Sequence, residues 1–283
     1  RLVFVGETHN LEWNAKILDA LHPVCDYLSI HHYSNEAGMG LYGCFATLRR
    51  FADSLAELIP LVKGFSQRKE PFNKWYRFPP REDDIKLCLD EWNLWSSANK
   101  GSDNRYGVKV VYNWRDALWT SCMMNLMIRN AKDIAIANLA QLVNVLAPIL
   151  AEKDRSYVQT IFHVLKLYRD HGQGKAVACG QDAPPFDAGP AGRLPAVDSA
   201  ACLQEDGSLC LFLTNITQDT QYPVRLPEGY AILESVALCA PAFEASNALD
   251  REVVEAVYGK RTDGFILKPG TVAMLRLGAP CAV

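Results

Sequence analysis

This sequence lacks most of the short signatures that assign a chemistry directly. It has no H-E-x-x-H, no G-x-S-x-G and no glycine-rich turn of the kind that cradles phosphate, which argues against zinc peptidases, elbow-type serine hydrolases and P-loop or dinucleotide enzymes. No run approaches the ~20 apolar residues of a membrane span, and no signal peptide opens the chain. Charge of one sign is missing too: 29 Lys and Arg stand against 32 Asp and Glu, and a net charge of −3 leaves no electrostatic footprint for nucleic acid or an anionic membrane. The nine cysteines (25, 44, 88, 122, 179, 202, 210, 239 and 281) include no C-x-x-C pair and lie mostly in apolar runs such as Leu87-Cys88-Leu89. That pattern reads as reduced core thiols of a cytoplasmic protein rather than a disulfide framework or a metal site. There is no initiator methionine; the chain opens in mid-strand at Arg1-Leu2-Val3-Phe4-Val5-Gly6 and is expected to be part of a longer protein.

What is present is an apolar content of 49% over 283 residues, enough for a large core or two moderate ones. Residues 1–172 alternate short apolar runs with amphipathic segments, the pattern of βα units around a parallel sheet. The strand candidates are Leu2 to Gly6, Tyr27 to His31, Ile85 to Asp90 and Asp133 to Asn138, nearly continuous in apolar residues as strands covered on both faces are. Helices are expected over Leu11 to Leu21, Tyr42 to Phe65, Trp114 to Asn130 and Ser156 to His171; Phe45, Leu48, Phe51, Leu55, Leu58, Ile59 and Val62 give the second of these one buried face. A long connection, about Ser66 to Asp84, reads as a lid or subunit contact. After His171-Gly172-Gln173-Gly174 the texture turns to short β-rich runs, including Ala178-Cys179, Ser208 to Thr214, Tyr230 to Cys239, Phe265 to Leu267 and Val272 to Leu277. Residues 173–283 are expected to form an antiparallel sandwich.

Three of the four parallel strands end in polar groups. Tyr27-Leu28-Ser29-Ile30 runs into His31-His32-Tyr33, the third strand runs into Asp90-Glu91-Trp92-Asn93, and the fourth runs through Asn138 to Gln141. Functional groups of a βα barrel project from the C-terminal strand ends, so successive polar ends point to one shared pocket. A carboxylate, indoles, a phenol, an imidazole and the amides of Asn93 and Gln141 suit a neutral polyhydroxylated ligand: indoles stack on sugar C–H faces, and amides and imidazole meet hydroxyls. Only one of His31 and His32 can enter the pocket, because side chains alternate along a strand, and by the same alternation Asp90 should point away from Glu91. Sugar cleavage leads the enzyme readings, and it needs a pair of carboxylates.

At these residues the sequence resembles the α-L-arabinofuranosidases of glycoside hydrolase family 51, retaining (β/α)8-barrel enzymes. The motifs are His31-His32-Tyr33 in DYLSIHHYS, CLDEWNLW at 88–95, IANLAQLVNVLAPI at 136–149, YVQTIFHVLKLYRDHGQG at 157–174 and LKPGTVAMLRL at 267–277. The resemblance covers essentially the whole chain and implies the second half of a TIM barrel, strands five to eight, followed by a C-terminal β-sandwich. It implies Glu91 as catalytic nucleophile, Tyr33 as the group that orients it, Trp95 and Gln141 lining the arabinose subsite, and His31 supporting the site. No cofactor or metal is implied; the expected partners are arabinose-containing oligo- or polysaccharides, and the full-length protein is expected to be a homo-oligomer.

The family's general acid/base is a Glu preceded by Asn at the end of strand four, which would lie upstream of Arg1. A retaining mechanism needs two carboxyls about 5–5.5 Å apart. Asn35-Glu36 is an Asn-Glu pair but follows strand six, one helix before Glu91, and is rejected; nothing makes Glu7, at the end of strand five, catalytic. The expectation is therefore an exo-acting arabinofuranosidase portion without its acid/base. The alternatives are a retaining barrel glycosidase acting on xylan or glucan, and an inert carbohydrate-binding or assembly piece.

Overall fold

Asn10 starts the first helix by accepting the backbone N–H of Trp13 on its side chain, and Asn113 and Asp116 form a reciprocal capping box at the start of the third. Between and after such start signals the computed structural model, which describes residues 1–68, 81–95, 110–226 and 228–278, runs β1 (Val3–Val5), α1 (Leu11–Leu21), β2 (Tyr27–Ser34), α2 (Gly43–Ser66), β3 (Lys86–Leu94), α3 (Trp114–Arg129) and β4 (Ile134–Leu139). The four strands form one parallel sheet in the order β1-β2-β3-β4. This is the expected half of a (β/α)8 barrel, with consecutive strands adjacent and helices as crossovers. In α2 the buried side chains include Phe45, Leu48, Phe51, Leu55, Leu58 and Val62, the predicted face. Of the long connection, residues 69–80 lie outside the described residues.

A hairpin, β5 (Ile149–Glu152) and β6 (Arg155–Val158), precedes α4 (Thr160–His171). The expected helix start at Ser156 is therefore corrected to Thr160. Ser156, Tyr157 and Val158 pair across the hairpin instead, and extended Gln159 buries its amide against three backbone groups: it accepts from Tyr112 N and donates to the carbonyls of Val110 and Ala147. Non-local hydrogen bonds there outweigh helical periodicity.

The remainder is β7 (Lys175–Val177), β8 (Pro185–Asp187), β9 (Arg193–Pro195), β10 (Val197–Leu203), β11 (Leu209–Asn215), β12 (Tyr222–Val224), β13 (Ala231–Cys239), β14 (Glu255–Gly259), β15 (Phe265–Leu267) and β16 (Thr271–Gly278). A six-stranded antiparallel sheet, β14-β13-β16-β11-β10-β7, carries the β12-β15 pair over one face. The turn into it requires Gly174: its φ is +125°, and a Cβ there would sit 2.3 Å from the Leu203 carbonyl oxygen. The strand Val197–Leu203 was not among those expected, because Ser199, Ala200 and Ala201 are small and buried on both faces and show no alternation.

Both faces of the large sheet are covered. Cys210, Phe212, Val272 and Met274 join the core shared with α3, α4 and the parallel sheet, while their neighbours Leu213, Ala273, Leu275 and Leu277 face the β12-β15 side. Strand period two divides one sheet between two cores. Helix α3, packed against α4 as well as β10 and β11, is buried over most of its length.

Candidate active site

Strands β2 and β3 run side by side, and their C-terminal ends meet in a shifted register. Leu89 pairs with Ile30 but Glu91 pairs with His31, so β3 carries one extra residue at Asp90. This irregularity corrects the expectation that strict alternation turns Asp90 away from Glu91. The His31 ring lies between the two carboxylates, Nε2 3.3 Å from Asp90 Oδ1 and Nδ1 3.7 Å from Glu91 Oε2. Ser29 Oγ donates to Asp90 Oδ1 at 2.8 Å, which ties that carboxylate down beneath the ring.

Tyr33 donates its hydroxyl to Glu91 Oε2 at 3.0 Å. Burial first, then the hydrogen bond to and the charge of Glu91, push the phenol up to about 12, so it remains a protonated donor near neutrality. Trp95 presents its ring edge-on to Tyr33, centroids 5.7 Å apart at 79°, and is 41% exposed, leaving an indole surface open to a ligand. Gln141 is exposed just beyond β4, and its segment is kept against β3 by Ala140 N donating to the Trp92 carbonyl at 3.2 Å. The fold thus joins Glu91, Tyr33, His31 and Trp95 at one strand-end surface, with Gln141 at the neighbouring strand end.

Asn93 does not belong to that surface. It is 1% exposed, and its amide is fully used: Nδ2 donates to the carbonyls of Ala140 at 2.7 Å and Leu146 at 2.5 Å, and Oδ1 accepts from Tyr112 Oη at 3.0 Å and Leu94 N at 2.8 Å. The expectation of Asn93 as a substrate-binding amide is corrected to a buried tie between β3 and the Gln141 segment. Glu36 is likewise committed, at 3.1 Å from the Arg115 guanidinium, which also grips Asp116 at 2.7 Å. Burial disfavours the Arg115 cation, but the charges of Asp116 and Glu36 outweigh it and raise its pKa. Glu7 accepts the His9 backbone N–H at 2.8 Å.

Residues 90–268 match the family described as Alpha-L-arabinofuranosidase C-terminal domain. The chain belongs to the α-L-arabinofuranosidase family. An intracellular exo-alpha-(1->5)-L-arabinofuranosidase of Bacillus subtilis (strain 168) is 29% identical over 259 residues, 86% of this chain and 49% of the relative. An exo-alpha-(1->6)-L-arabinofuranosidase of Bifidobacterium longum is 30% identical over 183 residues, 59% of this chain and 35% of the relative. The fold is that of the GH51 arabinofuranosidase from Xanthomonas axonopodis pv. citri, with a TM-score of 0.82 at 22% identity over 98% of this chain and 58% of that one. The chain spans about half the length of the curated relatives named intracellular that it matches.

Within this family member the second histidine of the HHY motif has a packing role. His32 is 6% exposed, stacked on Phe51 at 4.0 Å and 8°, with Nε2 2.8 Å from Ser34 Oγ. Burial, then the nearby His9, push it down to about 3. The unfolded chain takes up a proton that the native ring refuses, so this contribution to stability is complete above about pH 6.5 and is lost as the pH falls toward the folded value. Urea midpoints should therefore drop between about pH 7 and about pH 4 in the wild type and drop less in His32→Phe, which keeps the stack; equal drops would exclude His32 as a source. No helix among the described residues is long and apolar enough to cross a membrane.

Sequence reading missed Tyr112 and Arg115, which hold the ends of β3 and β2, and Gln159, which holds Tyr112. Each carries a polar group in a segment that periodicity marks only as buried or as helix start, and apart from the Arg115–Asp116 pair the partners named above lie 12 to 79 residues away.

Proposed function

We propose that this chain is the nucleophile-bearing portion of a retaining, exo-acting α-L-arabinofuranosidase that releases terminal arabinofuranose from arabinan, arabinoxylan or their oligosaccharides. Glu91 attacks the anomeric carbon, the glycosidic bond breaks, and the departing oxygen takes a proton from a general acid supplied by residues outside these 283. Water, deprotonated by the same group acting as base, then displaces Glu91 and releases the sugar with its original configuration. Tyr33 keeps the Glu91 carboxylate aimed, and Trp95, Gln141 and His31 hold the furanose. The observation that carries this reading is the Tyr33 hydroxyl 3.0 Å from Glu91 Oε2 beside an exposed indole.

Two carboxylates near the strand ends are already committed, which supports an external acid: Asp90 is tied by Ser29 beside His31, and Glu36 is ion-paired with buried Arg115. A cytoplasmic location accords with the relatives named intracellular and with the eight described cysteines, all free thiols; Cys281 lies outside the described residues. We further propose a division at 172/173 into a barrel half and a sandwich, a homo-oligomer for the full-length protein, and no requirement for a cofactor or metal.

A dinitrophenyl arabinofuranoside carrying fluorine beside the anomeric carbon tests the nucleophile, because its leaving group departs without protonation and the fluorine slows hydrolysis of the intermediate. The peptide containing Glu91 should gain one fluoroarabinosyl group by mass spectrometry. Labelling at another residue, or none, would remove Glu91 from the role. On natural arabino-oligosaccharides the chain extended upstream should turn over and the present chain should not; equal retaining activity from the shorter form would disprove the external acid.

A further inference from the structure

Between the sandwich and the strand ends lies the short segment from Tyr112 to Asp116, and it holds both of the strands that carry the proposed machinery. Tyr112 is fully buried, and its hydroxyl is 3.0 Å from both Asn93 Oδ1 and the Leu94 carbonyl, at the end of the strand that bears Glu91. Arg115, with a side chain 6% exposed, reaches Glu36 at 3.1 Å, three residues beyond Tyr33 on the neighbouring strand. The Glu36 loop has little freedom to yield: Met39 N donates to the Glu36 carbonyl, and a Cβ at Gly43 would sit 2.0 Å from that same oxygen.

The segment is itself fastened to the sandwich. Trp114 Nε1 donates to the Gly270 carbonyl at 2.7 Å, and the backbone N–H groups of Trp114 and Arg115 donate to Ala245 and Phe243 at 2.8 and 2.9 Å. Asn113 bridges Ser246. These bonds satisfy donors of the first helical turn that have no partner within the helix, so α3 starts on a surface belonging to the other half of the molecule.

We propose that Tyr112 and Arg115 are positioning residues for the glycosidase reaction, and that the sandwich acts through them to fix Tyr33 and Glu91 relative to each other. Neither touches substrate. Their action is on geometry: a reacting group displaced by about 1 Å can lose on the order of a hundredfold in rate while substrate still binds.

This rests on the assignment of Glu91 as nucleophile, and the same fluorinated dinitrophenyl arabinofuranoside separates the two claims. Absence of labelling in the wild-type chain would remove the nucleophile assignment. With the wild type labelled, Tyr112→Phe, which deletes only the hydroxyl, and Trp114→Phe, which deletes the bond to Gly270, should each lower the limiting labelling rate by about tenfold, with the half-saturating concentration little changed. Arg115→Lys should retain more of the rate than Arg115→Met. Glu36→Gln, which keeps a hydrogen-bond acceptor, covers the case in which the Arg115 variants do not fold. Thermal unfolding gives the folded fraction in each sample. Folded Tyr112→Phe, Trp114→Phe and Glu36→Gln proteins that label at the wild-type limiting rate would overturn the positioning role and leave these residues as stabilisers alone.

Discussion

Replacing Glu91 by Ala in the upstream-extended enzyme should lower turnover of natural arabino-oligosaccharides by roughly 10^4-fold or more, the scale on which loss of a nucleophile acts. The side chain is half exposed at the strand end and its oxygen accepts from Tyr33, so the substitution removes the proposed nucleophile without opening a core cavity. Stability should change little. The space vacated admits a small anion, and azide added to Glu91→Ala with an activated aryl arabinofuranoside should restore part of the rate. In that rescued reaction azide attacks in a single displacement and the product is a glycosyl azide of inverted configuration. A retained product would assign Glu91 to the acid/base role instead, because azide would then be intercepting an intermediate formed by a different nucleophile.

The largest stability effect is expected at Phe212. Its ring is fully buried and stacked on Tyr168, centroids 4.2 Å apart at 16°, on the face of β11 that packs against α3 and α4. Phe212→Ala should cost about 3–5 kcal/mol in chemical denaturation, from lost apolar transfer and an unfilled cavity between sheet and helices. Leu213→Ala, one residue along, should cost less, toward the lower end of about 2–5 kcal/mol. Leu213 faces the other side of the sheet, where a cleft of about 720 Å³ lined by Leu209, Leu211, Leu213, Leu267 and Leu277 already exists, so the truncation enlarges an existing space. A Phe212→Ala cost within about 1 kcal/mol of wild type would mean that the sheet and helices are not one cooperative core.

The parallel βα sheet was legible because parallel strands buried on both faces read as apolar runs, and the run at Tyr27 and that at Lys86 are such strands; that it is half of a barrel was implied by the family resemblance. The α2 face was legible for the same kind of reason, since Phe45 to Val62 repeats at three and four. Val197–Leu203 was not, because a strand of small residues between two cores has no contrast to read. The start of α4 was misplaced because Gln159 is held by Tyr112, Val110 and Ala147, partners that no local window contains.

At the site, residue types and strand ends pointed to one shared pocket and the family resemblance singled out Glu91, Tyr33, His31 and Trp95 within it; their meeting follows from β2 and β3 being neighbours. What sequence determined by itself was this local alphabet: which strands are parallel, where they end, and which side chains stand at those ends. Tertiary structure alone decided three further matters. The extra residue at Asp90 brings two carboxylates to one imidazole, Asn93 is withdrawn from the surface, and Tyr112 and Arg115 are set beneath the strand ends. The first is a register shift between β2 and β3, which counting along one strand does not reveal; the other two share a physical reason. Periodicity assigns a side chain to a face, but a buried polar group goes where distant partners satisfy its hydrogen bonds, and an unsatisfied one would cost about 1–3 kcal/mol.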